Sequence, residues 1–177
     1  MNVTGLCYGQ IDLPVTSDAV EAASAKVLAE IDTPIERCYS SPLQRCVELA
    51  RTLCQDMRTD ARLMEMDFGL WEGRRWEDLD RAELDYWSAS HVYRRVPGGE
   101  SWDDLYLRTT SFLAELRTDD SPCVGVVTHA GVMRAIVAEI MRMDLEWTWR
   151  IKIPFGSLIT IELGATARGD RLLSTSP

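Results

Sequence analysis

Apolar positions recur along this chain at two spacings, and the two together sketch its fold. From Thr16 to Ile31 they fall at Val20, Ala23, Val27, Leu28 and Ile31, the period of a helix with one buried face, with Thr16 or Ser17 as its cap. Ile35 to Tyr39 is a short, weak strand signal. Ser41 and Pro42 then predict a helix start, with Ser41 as N-cap and Pro42 at the first helical position, where its missing N–H is harmless. Leu43, Cys46, Val47, Ala50, Leu53 and Cys54 form the buried face that follows. Residues 62 to 69 are expected to be extended, and a polar helix is expected near Trp76 to Trp87. Pro97-Gly98-Gly99 reads as a loop. Ser101-Trp102-Asp103-Asp104 is a capping box in its Asp form, opening a helix with Trp102, Leu105, Thr109, Phe112, Leu113 and Leu116 inward.

The second spacing is the continuous apolar run. Cys123-Val124-Gly125-Val126-Val127 has the look of a buried strand, and Val132 to Met141 that of a helix. Leu158 to Leu163 is read as the last strand. Strands alternating with helices indicate an α/β sandwich with helices on both faces. Between the Val-rich strand and its helix stands His129, at the strand's carboxyl end and at a helix N-terminus. In open α/β sheets ligands bind in that crevice, and the positive end of the helix favours an anion. A histidine merely satisfied in a turn is the competing reading.

Composition narrows the classes. With 177 residues and 46% hydrophobic content, residues 1–177 are expected to form one domain. No window approaches the ~20 apolar residues of a membrane span. The N-terminus has no signal-peptide pattern, so a cytoplasmic address is the default expectation, and Asn2-Val3-Thr4 is taken as a chance match to a glycosylation acceptor. The five cysteines form no C-x-x-C pair and read as small core residues in a reducing compartment; with two distant histidines they give no pattern for zinc or another metal. A net charge of −9 argues against nucleic acid as a partner. It leaves room for a small phosphate ester held by a few local arginines.

Arg45 follows the first strand as His129 follows its own, so both can face one ligand, with the arginine fork gripping phosphate; a solvated arginine is the alternative. Glu65, between Met64 and Met66, has surroundings that suit a general acid, or is a strand carboxylate turned to water. Glu72 competes for the acid's role. His91 reads as a surface residue.

Four segments carry a family resemblance: Ser40-Ser41-Pro42-Leu43-Gln44-Arg45; Glu65 to Gly73; Pro97-Gly98-Gly99-Glu100-Ser101; and Val127-Thr128-His129-Ala130-Gly131-Val132. In this order they resemble the histidine phosphatase superfamily, also called phosphoglycerate-mutase-like. The opening Leu6-Cys7-Tyr8-Gly9-Gln10-Ile11-Asp12-Leu13-Pro14 is similar to its α-ribazole phosphatase branch. The resemblance implies a three-layer α/β/α sandwich and hydrolysis of a small-molecule phosphomonoester through a phosphohistidine, without metal or other cofactor. By motif it makes His129 the supporting histidine, Arg45 the second arginine and Glu65 the acid, with Tyr8, Gly9, Gln10 and Ala130 lining the substrate mouth. In the α-ribazole branch the substrate is α-ribazole 5′-phosphate, on the way to the lower ligand of cobalamin.

One departure is severe. The family's first strand ends in Arg-His, usually followed by Gly, and carries the nucleophile; these 177 residues hold no such motif. The fold expected here is therefore the phosphoglycerate-mutase-like sandwich lacking its first strand. A start placed too far downstream is one explanation, and a catalytically inactive phosphate-binding remnant is the other. Phosphoglycerate mutase is a third reading, against which stands the short Gly73–Pro97 segment. Substrate and oligomeric state stay open, a homodimer included, since Trp147-Thr148-Trp149 reads equally as interface or as core.

Overall fold

The computed structural model describes residues 5–176, so Asn2-Val3-Thr4 lies outside the described residues. In chain order the elements are α1 (Ser17–Glu30), β1 (Arg37–Ser40), α2 (Gln44–Leu53), β2 (Met57–Thr59), α3 (Arg81–Ser88), α4 (Trp102–Leu116), β3 (Val124–Val127), α5 (Ala130–Met141), β4 (Leu158–Glu162) and β5 (Arg171–Ser176). Strands β2, β1 and β3 form a parallel sheet in that order, with Ser40 level with Val127. Strands β4 and β5 pair antiparallel as a separate hairpin, with a register shift between Thr160 and Ile161.

Both faces of the parallel sheet are covered, because side chains alternate across each strand. Cys38 and Val127 pack with Cys46 and Ala50 of α2. Tyr39, Val124 and Val126 turn the other way, onto the larger core of α4 and α5. There the rings of Tyr39 and Phe112 meet edge to face at 5.4 Å. All six inward positions expected on α4 are buried, and the capping box forms, Ser101 receiving the Asp104 N–H while Asp104 receives that of Ser101. The β4–β5 hairpin leans on the same core through Ile161 and Leu172, and Asp170 ties it to Arg117 at the end of α4. This is a mixed α/β fold with a parallel sheet between helices.

Several expectations need correction. Helix α1 ends at Glu30 and leaves Leu28 exposed, burying Ser24 instead. Helix α2 begins at Gln44, not at Pro42, with Leu43 at the cap position. Its first N–H is received by Asp12 from a distant loop, while Ser41 Oγ accepts the Leu43 N–H at 3.4 Å and also meets His129. The extended reading of residues 62–69 fails at its ends, where Arg62 and Leu63 belong to a 3₁₀ turn (Ala61–Leu63) and Gly69 opens another (Gly69–Trp71), while Met64 between them is extended. The polar helix near Trp76 is a 3₁₀ turn, Trp76–Asp78, followed by α3. Leu158–Leu163 is not the last strand, since β5 follows it, and β2 was too short for periodicity to reveal. His91 is no free surface residue; it is half-buried between Trp87 and Trp149. Within Trp147-Thr148-Trp149, Thr148 is buried and both tryptophans remain exposed.

Candidate active site

β3 delivers His129 to the N-cap position of α5, with backbone still extended (φ −119°, ψ 163°). The adjacent strand β1 ends at Ser40 and leads, by way of Ser41, into α2, so Arg45 approaches from one strand over. Arg45 Nε donates to His129 Nδ1 at 3.3 Å. That contact makes Nδ1 an acceptor and assigns the ring proton to Nε2, which donates to Ser41 Oγ at 2.8 Å. Cys46 Sγ lies 3.5 Å from the same Nε2, and burial pushes its thiol up to about 12. Arg45 and His129, two of the three catalytic candidates, are thus in direct contact.

Burial sets the charge state of His129. The residue is 8% exposed, and desolvation first, with the nearby charges of Arg45 and Arg108, pushes its pKa down to about 3. It is a neutral imidazole at physiological pH. An unfolded histidine takes up a proton near pH 6.5, so between pH 6.5 and 3 the unfolded chain binds more protons. The stability His129 contributes is therefore complete above pH 6.5 and is lost as pH falls toward 3. Calorimetric melting between pH 7 and 4 should show the midpoint falling with pH, and His129→Gln should flatten that slope. An unchanged slope in the variant would assign the acid sensitivity to other groups.

The remaining Arg45 donors hold the loop at 8–11: Nη1 reaches the Ile11 carbonyl at 2.8 Å and Nη2 that of Gly9 at 2.6 Å. Of five guanidinium N–H groups three are engaged, which leaves two for a ligand. The Tyr8 ring centre is 5.6 Å from the guanidinium carbon. A Cβ at Gly9 would come within 1.8 Å of the Met66 carbonyl oxygen, so only glycine fits there. Glu72 fixes this loop from beneath, its carboxylate accepting the backbone N–H groups of Gln10, Ile11 and Phe68 at 2.8, 2.7 and 3.1 Å. With its oxygens so engaged, Glu72 is a positioning residue.

Glu65 sits at the mouth of α5. Its carboxylate accepts the N–H of Met66 at 2.9 Å and that of Gly131 at 3.1 Å. A Cβ at Gly131 would lie 2.0 Å from Glu65 Oε1, so the glycine makes room for the acid. Gln10 Nε2 donates to the Glu65 carbonyl at 3.2 Å. Ala130, the first residue of α5, lies between His129 and Gly131. These contacts bring Tyr8, Gly9, Gln10, Arg45, Glu65 and His129 together, with Ala130 adjoining His129 in sequence.

One arginine of the site carries no recognisable sequence signal. Arg108 on α4 forms a two-pronged pair with Glu100 at 2.8 and 2.9 Å. It also donates to the carbonyls of Arg62, Met64 and Glu65 at 2.7, 2.6 and 3.0 Å. It is the post on which the Glu65 segment hangs. Among the described residues no three His, Cys, Asp or Glu side chains gather as a metal site, and no helix is long and apolar enough to cross a membrane.

Residues 1–172 match the model of the histidine phosphatase superfamily (branch 1). The adenosylcobalamin/α-ribazole phosphatase of Escherichia coli (strain K12) is 25% identical over 182 residues, covering 98% of this chain and 90% of that one. Phosphoserine phosphatase 1 of Hydrogenobacter thermophilus is 31% identical over 119 residues, covering 63% of this chain and 56% of its own length. The crystal structure of the α-ribazole phosphatase from Shigella flexneri superposes with a TM-score of 0.85 at 24% identity, covering 97% of this chain and 88% of that one.

Proposed function

This chain belongs to the histidine phosphatase superfamily, and from that premise we propose that its crevice serves hydrolysis of a small-molecule phosphomonoester through a phosphohistidine. The observation that carries the reading is the Arg45–His129 contact at the carboxyl ends of two parallel strands, with Glu65 at the same helix N-terminus. The spare Arg45 donors and the helix end suit the oxygens of a phosphoryl group. In the first step a histidine nitrogen bonds to phosphorus as the bond to the leaving oxygen breaks, and Glu65 gives that oxygen a proton. A phosphate dianion beside the Glu65 carboxylate sets two anions side by side, and a proton between them relieves the repulsion. In the second step water, losing its proton to Glu65, displaces the histidine and phosphate departs.

The attacking histidine has to come from elsewhere, because these residues hold only His91 and His129. His129 has both ring nitrogens engaged, and His91 is wedged between two tryptophans. Among the described residues β3 pairs along one edge only, its Val124 and Val126 are half-buried, and β4 likewise pairs only with β5. A parallel strand laid on the open edge of β3 would end beside His129 and bring the nucleophile there. The expected result is that in-frame DNA upstream of Met1 encodes an apolar strand ending in Arg-His, and that the longer protein forms an acid-labile phosphoenzyme. A stop codon directly upstream overturns this.

The missing nucleophile also favours a second reading, a phosphate-binding protein without turnover. Hydrolysis of an aryl phosphate by the 177-residue chain, abolished in His129→Ala, rules it out. Phosphate transfer between glycerate positions would indicate a mutase instead. For the leaving group, the family resemblance supports α-ribazole 5′-phosphate as one candidate in a substrate panel.

A further inference from the structure

Ser41 and His129 leave the sheet side by side. Ser40 on β1 is level with Val127 on β3, and both residues follow within two positions of those strand ends. The Ser41 backbone is fixed there by its own N–H, which donates to the Val127 carbonyl at 2.9 Å. Its side chain is fully buried, with Oγ 2.8 Å from His129 Nε2. A neutral imidazole has one N–H to give. Burial keeps this ring neutral, and Arg45 at Nδ1 puts the proton on Nε2, where Ser41 receives it. Cys46 is a lesser acceptor. Its thiol donates to the Thr128 carbonyl at 3.6 Å, and its sulfur, 3.5 Å from Nε2, is a weak partner. Nor does α5 hold the ring, since His129 stands at the N-cap without a side-chain cap bond. Ser41 at one ring nitrogen and Arg45 at the other keep it in place.

We propose that Ser41 is a latch on His129, a positioning residue that competes with phosphate for the single imidazole proton. A neutral histidine stabilises an anion by donating to one of its oxygens, and this proton is turned to Ser41 instead. The ring has to leave the serine before it can serve a phosphoryl oxygen. A phosphate dianion is able to draw it over, because a hydrogen bond to an ionised acceptor is roughly twice as strong as one to a neutral group. Neutral acceptors, no better than the serine hydroxyl, leave His129 where it is. Opening the latch weakens every affinity at the pocket, since only the fraction of molecules with a released ring is competent. The inference rests on the phosphomonoesterase reading and adds what governs the engagement of its supporting histidine.

The test is calorimetric binding of inorganic phosphate to the 177-residue chain and to its Ser41→Ala variant. A serine that merely supports the site predicts weaker binding in the variant. A latch predicts tighter binding, by roughly fivefold, the net worth of one neutral hydrogen bond. Alanine leaves the surroundings in place: the Ser41–Val127 bond is made by backbone, Asp12 still caps α2 at 2.8 Å, and Leu43 N–H loses a contact of 3.4 Å. A second measurement needs no folded variant of Ser41. In the nitrogen-labelled native chain the His129 Nε2 proton resonance should move downfield as phosphate is added, with His129→Gln identifying the signal. Equal or weaker binding by folded Ser41→Ala, or a proton signal unmoved while phosphate binds, overturns the latch and leaves the phosphate pocket standing. Failure of the native chain to bind phosphate overturns the pocket itself, and this inference with it.

Discussion

Arg108→Met should lower the stability of the fold by about 3 kcal/mol, the lower end of what breaking a buried ion pair costs. The pair is not isolated. Arg108 joins both oxygens of Glu100 to three backbone carbonyls, those of Arg62, Met64 and Glu65. Glu100 in turn accepts the Asp67 N–H at 3.0 Å. Methionine fills the aliphatic volume but leaves a carboxylate and three carbonyls without their donor, and an unmet buried group costs more than a made bond gains. The side chains keep 17% and 21% of their surface in water, which is why the lower end applies. Urea unfolding of native protein, Arg108→Met, Glu100→Gln and the double variant would measure it. A loss under about 1 kcal/mol, the value of an exposed pair, would falsify the claim that this arginine organises the segment. The same variant should also slow turnover of alkyl phosphates, because the loosened segment carries Glu65.

What could be read from the sequence, and what could not, divides along one physical line. Helix α4 was legible to the residue because two local signals agree: a capping box fixes its start, and the period then assigns every inward position. His129 at a strand end before a helix was legible for the same reason, since a Val-rich run and a 3.6-residue period meet there. Leu28 was misassigned because α1 packs one narrow stripe on α2 and its last turn runs past the core. Ser41 was read as a local cap, yet Asp12, 32 residues away, caps α2. Arg45, Glu65 and His129 stand out through short motifs. The groups that orient them, Glu72 on the 8–11 loop and Arg108 on the 62–65 segment, act across distances at which no periodicity exists.

The larger effect is expected at Glu65. In a protein carrying the proposed Arg-His strand, Glu65→Gln should slow hydrolysis of alkyl phosphates by about 10²–10⁴, the usual contribution of general acid catalysis, and scarcely slow nitrophenyl phosphate. An alkoxide cannot depart without a proton, whereas nitrophenolate is stable enough to leave as an anion. The dependence on leaving group separates proton donation from mere positioning, which would slow both substrates alike. Gly131→Ala offers the same test by a different route. Its Cβ would stand 2.0 Å from Glu65 Oε1 and 3.3 Å from Leu105 Cδ1. The nearer neighbour is the end of a flexible side chain, so the acid swings away while the fold gives little. That displacement removes the Gly131 N–H bond that aims the carboxylate at the helix mouth. Arg45 and His129 are untouched, so phosphate should still bind while alkyl phosphates turn over slowly. Equal slowing of alkyl and nitrophenyl phosphates in both variants would make Glu65 a positioning group for the α5 terminus, and the acid would then have to be sought elsewhere in the crevice.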